Sequence, residues 1–238
     1  MSKIPVSADF HLKRVPLRDD LRQGLAIHDR LAVCAVDGNH QVLETVDTGF
    51  QFGDQFRGIF RGLFAFLNQD HLLTSVEAEY KQFIQFYSII SEKLQLGLTG
   101  EEREAIARDR AYNMKNYIPY PGIREVLETL GKTHKLGVIS DTWPSIVPQL
   151  EYLGVSQYFS FTTFSCSLGT VKPDKRMYLD ALGKAGVPAG ETVFIDDSVN
   201  NLEGAAALGI TPILIAANPA SDVDTVYLKI RDLRELIR

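Results

Sequence analysis

The chain has 238 residues, 45% of them hydrophobic and 23% charged, with 30 acidic residues against 25 basic ones and a net charge of −5. That is the make-up of a globular protein, of a size for one large domain or one domain carrying an insert. No Lys/Arg tract supports binding to nucleic acid or anionic membranes, no apolar run reaches transmembrane length, and the first residues, MSKIPVSADFHLKR, lack the apolar core of a signal peptide.

Cys34 and Cys166 form neither a metal-ligand spacing nor a disulfide framework, so a reducing cytoplasm is the expected setting. Residues 1–30, including VPLRDDLRQG, read as an N-terminal extension. Leu31–Val36 is an apolar run with strand character, followed by Asp37 and Gly38. An Asp-Gly pair between apolar runs is also a hairpin signal. Residues 48–114 change character. Phe56, Phe60 and Phe64 recur at a spacing that puts them on one helical face. AEYKQFIQFYSIISEKLQL continues the aromatic helical pattern. In TGEEREAIARDRAYNMKN, Thr99 and Glu102 stand as a capping pair. The aromatic stripe is expected to be helical core.

From Pro121 the pattern is regular. IREVLETLG is a helix stopped at Gly131, and KLGVISD a buried strand ending in Ser140 and Asp141. TWPSIVPQLEYLG is a helix with Pro144 early in it, and YFSFTTFS a strand. KPDKRMYLDALGKAG is a helix opened by Pro173 and closed by Gly186. TVFIDD is a strand, NLEGAAALG a helix, TPILIAAN and TVYLKI strands, and RDLRELIR a closing helix. Repeated strand–helix units imply a parallel sheet with helices on both faces, which binds ligands at the carboxyl ends of its strands.

Ser140, Asp141, Lys172, Asp196 and Asp197 all fall at those ends. Asp196 or Ser198 alone would serve as a helix cap. Two adjacent carboxylates repel, and a hard divalent cation accounts for the pair better. A hydroxyl and an ammonium on the same rim suit phosphate oxygens.

In this order, GVISDT, GTVKPDKRMY and VFIDDSVNN resemble the second, third and fourth motifs of the haloacid dehalogenase (HAD) superfamily. The resemblance implies an α/β fold: a doubly wound, Rossmann-like parallel-sheet core, residues 1–47 and 115–238, with an inserted α-helical cap, residues 48–114. It implies a Mg²⁺-dependent hydrolase of a small phosphomonoester acting through an aspartyl-phosphate. Ser140, Asp141, Thr142 and Lys172 would bind the phosphoryl group. Asp196, Asp197 and Asp37 would hold Mg²⁺, with Asn201 supporting the site. Phosphomutases carry the same motifs.

The family's first motif is Asp-x-Asp-Gly, in which the first Asp attacks phosphorus and the second is the acid and base. Set on this pattern, LAVCAVDGN gives Asp37 as acid/base and Ala35 where the nucleophile belongs, which implies little or no turnover. Asp37 as nucleophile, with Asn39 two residues on, ranks second, and Asp47 with Gly49 third. Asp9 is set aside, because no second Asp follows it and it lies far from the helical insert. The rival expectation is a non-catalytic relative that binds a phosphorylated ligand or a protein partner.

Overall fold

The computed structural model describes residues 6–8, 13–14, 66–67, 71–217 and 221–237. Its centre is a six-stranded sheet in which every neighbouring pair runs parallel. In chain order the strands are β1 (Val6–Ala8), β4 (Leu136–Ser140), β5 (Phe161–Phe164), β6 (Val193–Asp196), β7 (Thr211–Ile215) and β8 (Leu228–Ile230). Their spatial order is β5-β4-β1-β6-β7-β8. The chain winds from β1 to one side through β4 and β5, then returns to build β6, β7 and β8 on the other. The direction of winding reverses at β1, and a parallel sheet leaves a crevice at such a reversal. A separate antiparallel pair joins β2 (Lys13–Arg14) to β3 (Tyr117–Ile118).

Apolar residues make the strands of this sheet because both faces are covered. All five residues of β4 are buried. Leu136 and Val138 pack with α3 (Ile123–Gly131) and α4 (Ile146–Tyr152), while Ile139 packs with α6 (Lys175–Ala185) and α7 (Val199–Ala206). A short helix, α5 (Ser165–Leu168), follows β5 directly. Two longer helices, α1 (Val76–Lys93) and α2 (Gly100–Tyr112), pack against each other with Phe83, Phe86, Tyr87 and Ile90 between them. The expected capping box at Thr99 and Glu102 is present in full. Among the described residues, no helix is long and apolar enough to cross a membrane.

The alternation read from Pro121 onward holds, with three adjustments. Helix α4 begins at Ile146, past Pro144. Helix α6 begins at Lys175 with Asp174 as its cap, its carboxylate accepting the Arg176 N–H at 2.9 Å, so Pro173 stays in the loop before it. RDLRELIR forms only a short 3₁₀ turn, Leu233–Ile237. A larger correction concerns the N-terminus. The strand between β4 and β6 is Val6–Ala8, within the segment expected to be a mere extension. Leu31–Val36, Asp37, Asn39, Asp47 and the Phe56, Phe60 and Phe64 stripe lie outside the described residues.

Two glycines report opposite packing. A Cβ on Gly204 in α7 would lie 2.8 Å from the Pro173 Cβ and 3.0 Å from its carbonyl oxygen, so the bare backbone lets the helix touch the loop that carries Lys172. Gly183, exposed in α6, would meet nothing within 4 Å. Gly204→Ala is therefore expected to lower stability by about 1–3 kcal/mol through overpacking. Gly183→Ala should raise it by about 0.5–1 kcal/mol through backbone entropy. Urea unfolding of the two variants checks the pair, and equal effects would contradict the contact at Gly204.

Candidate active site

The loops after β4 and β6 emerge on the same rim of the sheet, flanking the end of β1, and one strand lies between them, so they stand roughly 10 Å apart. Lys172 spans that gap. Its Nζ donates to the Asp196 Oδ2 at 2.7 Å, with both side chains buried. Its backbone N–H donates to the Asp141 Oδ1 at 2.9 Å. The same residue thus ties the end of β4 to the end of β6. The bond from Lys172 to Pro173 is cis.

Asp196 takes two further donors on its other oxygen, the Ser198 N–H at 2.9 Å and the Asn201 Nδ2 at 3.0 Å. A carboxylate with no solvent contact needs this set of donors to stay charged. Asn201 is held in turn by the Tyr178 hydroxyl, which donates to its carbonyl at 2.8 Å. Asp197, the next residue, is half-buried on the rim. Burial pushes the Asp141 carboxyl above the usual range, and the Asp196 charge adds to this, while the Lys172 ammonium and N–H pull it back. Ser140 closes β4 and is buried.

Ser140, Asp141, Lys172, Asp196 and Asp197 therefore share one rim, while Asp37 lies outside the described residues. Among the described residues, no three metal-ligating side chains gather into a cluster. The pair Asp196–Asp197 fits Mg²⁺ all the same, because that ion keeps several waters and takes one or two carboxylates. Asp196 is engaged by Lys172, Ser198 and Asn201. The buried Cys166 is no nucleophile, since burial pushes its thiol up to about 11.

Sequence reasoning missed a second polar cluster, on the far side of the β4 loop. The Trp143 Nε1 donates to the Gln82 Oε1 at 2.8 Å. The Ser145 N–H and hydroxyl donate to the two oxygens of Glu79, at 2.7 and 2.8 Å. Arg110 lies over the Phe83 and Trp143 rings, with its Nη1 3.9 Å from Glu79. The His71 Nε2 is 2.6 Å from the Ser165 hydroxyl, whose oxygen also accepts the Thr142 N–H at 2.7 Å. The aromatic spacing announced the buried face of α1, but nothing in it marks Glu79 as part of that face.

A family model for haloacid dehalogenase-like hydrolases matches residues 34–209. A phosphoglycolate phosphatase of Pseudomonas savastanoi pv. phaseolicola is 27% identical over 143 residues, which are 54% of this chain and 50% of that protein. One from Agrobacterium fabrum is 31% identical over 103 residues, 40% of this chain and 42% of that protein. The chain thus spans about half the length of these curated relatives. A HAD phosphatase from Thermococcus onnurineus superposes with a TM-score of 0.58 at 20% identity, covering 99% of this chain and 96% of the other. The L-2-haloacid dehalogenase PA0810 gives 0.63 at 15%, covering 99% and 97%. At such identities the likeness concerns the fold.

The buried pair allows a direct test. Asp196→Asn removes the carboxylate charge 2.7 Å from the buried Lys172 ammonium, and the expected loss is about 3–5 kcal/mol. Adding Lys172→Met should recover much of it. Chemical unfolding measures both, and an Asp196→Asn variant as stable as the parent would contradict the pairing. Mass mapping after iodoacetamide treatment at pH 8 should find Cys166 unmodified in the folded protein and alkylated once it is unfolded.

Proposed function

The chain belongs to the haloacid dehalogenase-like hydrolases, and on that premise we propose that it is a Mg²⁺-dependent phosphatase of a small phosphomonoester. The observation that carries this reading is Lys172, which joins the ends of β4 and β6 across the end of β1. A phosphoryl group seated there would meet the Ser140 hydroxyl, the loop N–H groups of Asp141 and Thr142, and the Lys172 ammonium. Asp197 and Asp196 would hold the metal, which neutralises phosphoryl charge and orients the oxygens. The paired helices α1 and α2 would serve as the cap that shields the reaction from water. The phosphoglycolate phosphatases among the relatives make a short phosphorylated carboxylic acid the first substrate to try, and the two cysteines, which form no disulfide framework, make the cytoplasm the expected compartment.

The nucleophile in this reading is Asp9. It follows Ala8, the last residue of β1, and β1 is the strand flanked by β4 and β6. Its carboxylate would attack phosphorus, the ester oxygen would leave with a proton, and water would then cleave the acyl phosphate. His11, two residues on, is a side chain able to hold that proton near neutral pH. A second reading rests on the start of the family match at Cys34. That start favours LAVCAVDGN as the first motif, with Ala35 at the nucleophile position and Asp37 as the remaining acid/base and metal ligand. The protein would then be a non-catalytic relative that binds a phosphorylated ligand or a protein partner.

Turnover of p-nitrophenyl phosphate and 2-phosphoglycolate with Mg²⁺ tests the proposal. The unmodified chain should be active. Asp9→Asn should abolish turnover, and Lys172→Ala should reduce kcat/KM by about a hundredfold or more. Asp37→Asn should leave most of the activity. An inactive chain that gains turnover on Ala35→Asp would establish the second reading instead.

A further inference from the structure

The polar cluster around Trp143 bears on the rim itself. Glu79 has no solvent contact, and both its oxygens are committed to Ser145 in the loop that follows Ser140 and Asp141. A buried carboxylate is costly, and an apolar residue would pack α1 against the core without that cost. Its pKa is pushed up by burial, against the pull of Arg110 and of the two Ser145 donors. What the carboxylate adds is geometry: two donors of one residue are fixed by two oxygens of another. The same loop is gripped at Trp143 by Gln82, and at Thr142 through Ser165 and His71.

We propose that Glu79 is a positioning residue, through which α1 sets the Asp141–Ser145 loop, and with it the Lys172 N–H on Asp141, in the arrangement that receives a phosphoryl group. This rests on the phosphatase reading for its catalytic consequence, though not for the clamp. The helical pair then does more than cover the rim: the site is complete only while α1 is seated on the loop. A displacement of the loop by about 1 Å is enough to reduce turnover tenfold to a hundredfold.

Trp143 is the only tryptophan in the chain, so its emission reads this loop alone. The test compares the full-length protein with Glu79→Ala, Glu79→Gln and Ser145→Ala. Emission, acrylamide quenching, and kcat and KM for p-nitrophenyl phosphate with Mg²⁺ are measured on each. Gln can accept the Ser145 N–H on its carbonyl and donate to the Ser145 hydroxyl from its amide. Glu79→Ala should shift Trp143 emission to the red, raise quenching, and increase KM about tenfold with a lower kcat. Glu79→Gln should restore KM to within about threefold of the parent. Ser145→Ala removes one of the two bonds from the core side and should give an intermediate shift, which keeps the test open if Glu79→Ala does not fold. Unchanged emission and quenching in a folded variant would overturn the proposal, as would equal losses of activity in Glu79→Gln and Glu79→Ala. If the parent itself does not turn over the ester, the phosphatase reading fails, and the emission and quenching results decide the clamp on their own.

Discussion

An ammonium and a carboxylate 2.7 Å apart, both out of water, hold the two arms of the sheet together at its rim. Neither charge is tolerable alone in that position, because dehydrating one ion costs several kcal/mol. The surroundings are therefore built to satisfy both. Ser198 and Asn201 donate to Asp196, Tyr178 fixes Asn201, and Asp141 captures the backbone of Lys172. Helix α7 can approach the Lys172 loop only because Gly204 has no side chain. The pair and the helix packing are one local solution, with several elements meeting over two opposite charges.

A second buried carboxylate, Glu79, stands on the opposite side of the β4 loop and is satisfied by a different set of partners. The two are unlike in their consequences. Asp196 is bound by groups of the sheet and its own helices, so its network is internal to the core. Glu79 reaches the core from α1, so its network exists only where the helical pair and the sheet meet. Between them lies the stretch Ser140–Ser145, held from both sides. Buried polar groups concentrate at this loop, while the helix–sheet layers contain chiefly Leu, Ile, Val and Phe.

Much of this was legible in the sequence, and for identifiable reasons. VFIDD and KLGVISD read as buried strands because both faces of the sheet are covered and no polar residue interrupts them. The order of Ser140, Lys172 and Asp196 was enough to place them on one rim, since parallel strands expose the same end. RDLRELIR misled because its apolar spacing suits a helix, yet only its Leu and Ile side chains are drawn against α3 and β8. The central strand was missed because three residues, Val6–Ala8, carry too little pattern to outweigh the longer apolar run Leu31–Val36. Glu79 was missed because partners distant in sequence, Ser145 and Arg110, are what permit its burial.

The position of β1 has a consequence for how the chain is made. Val6 pairs with Leu136 on one side and with Val193 on the other, so β1 is made long before either of its neighbours. At synthesis rates of about 5–20 residues per second, it waits on the order of 10–40 s for its second neighbour. During that interval α1 and α2, whose contacts are close in sequence, can already form. Long-range parallel pairing is slow for the same entropic reason. The nascent chain is thus expected to form its helical hairpin first and to assemble the rim only after β6 has emerged, with the N-terminal strand inserted between partners synthesised long after it.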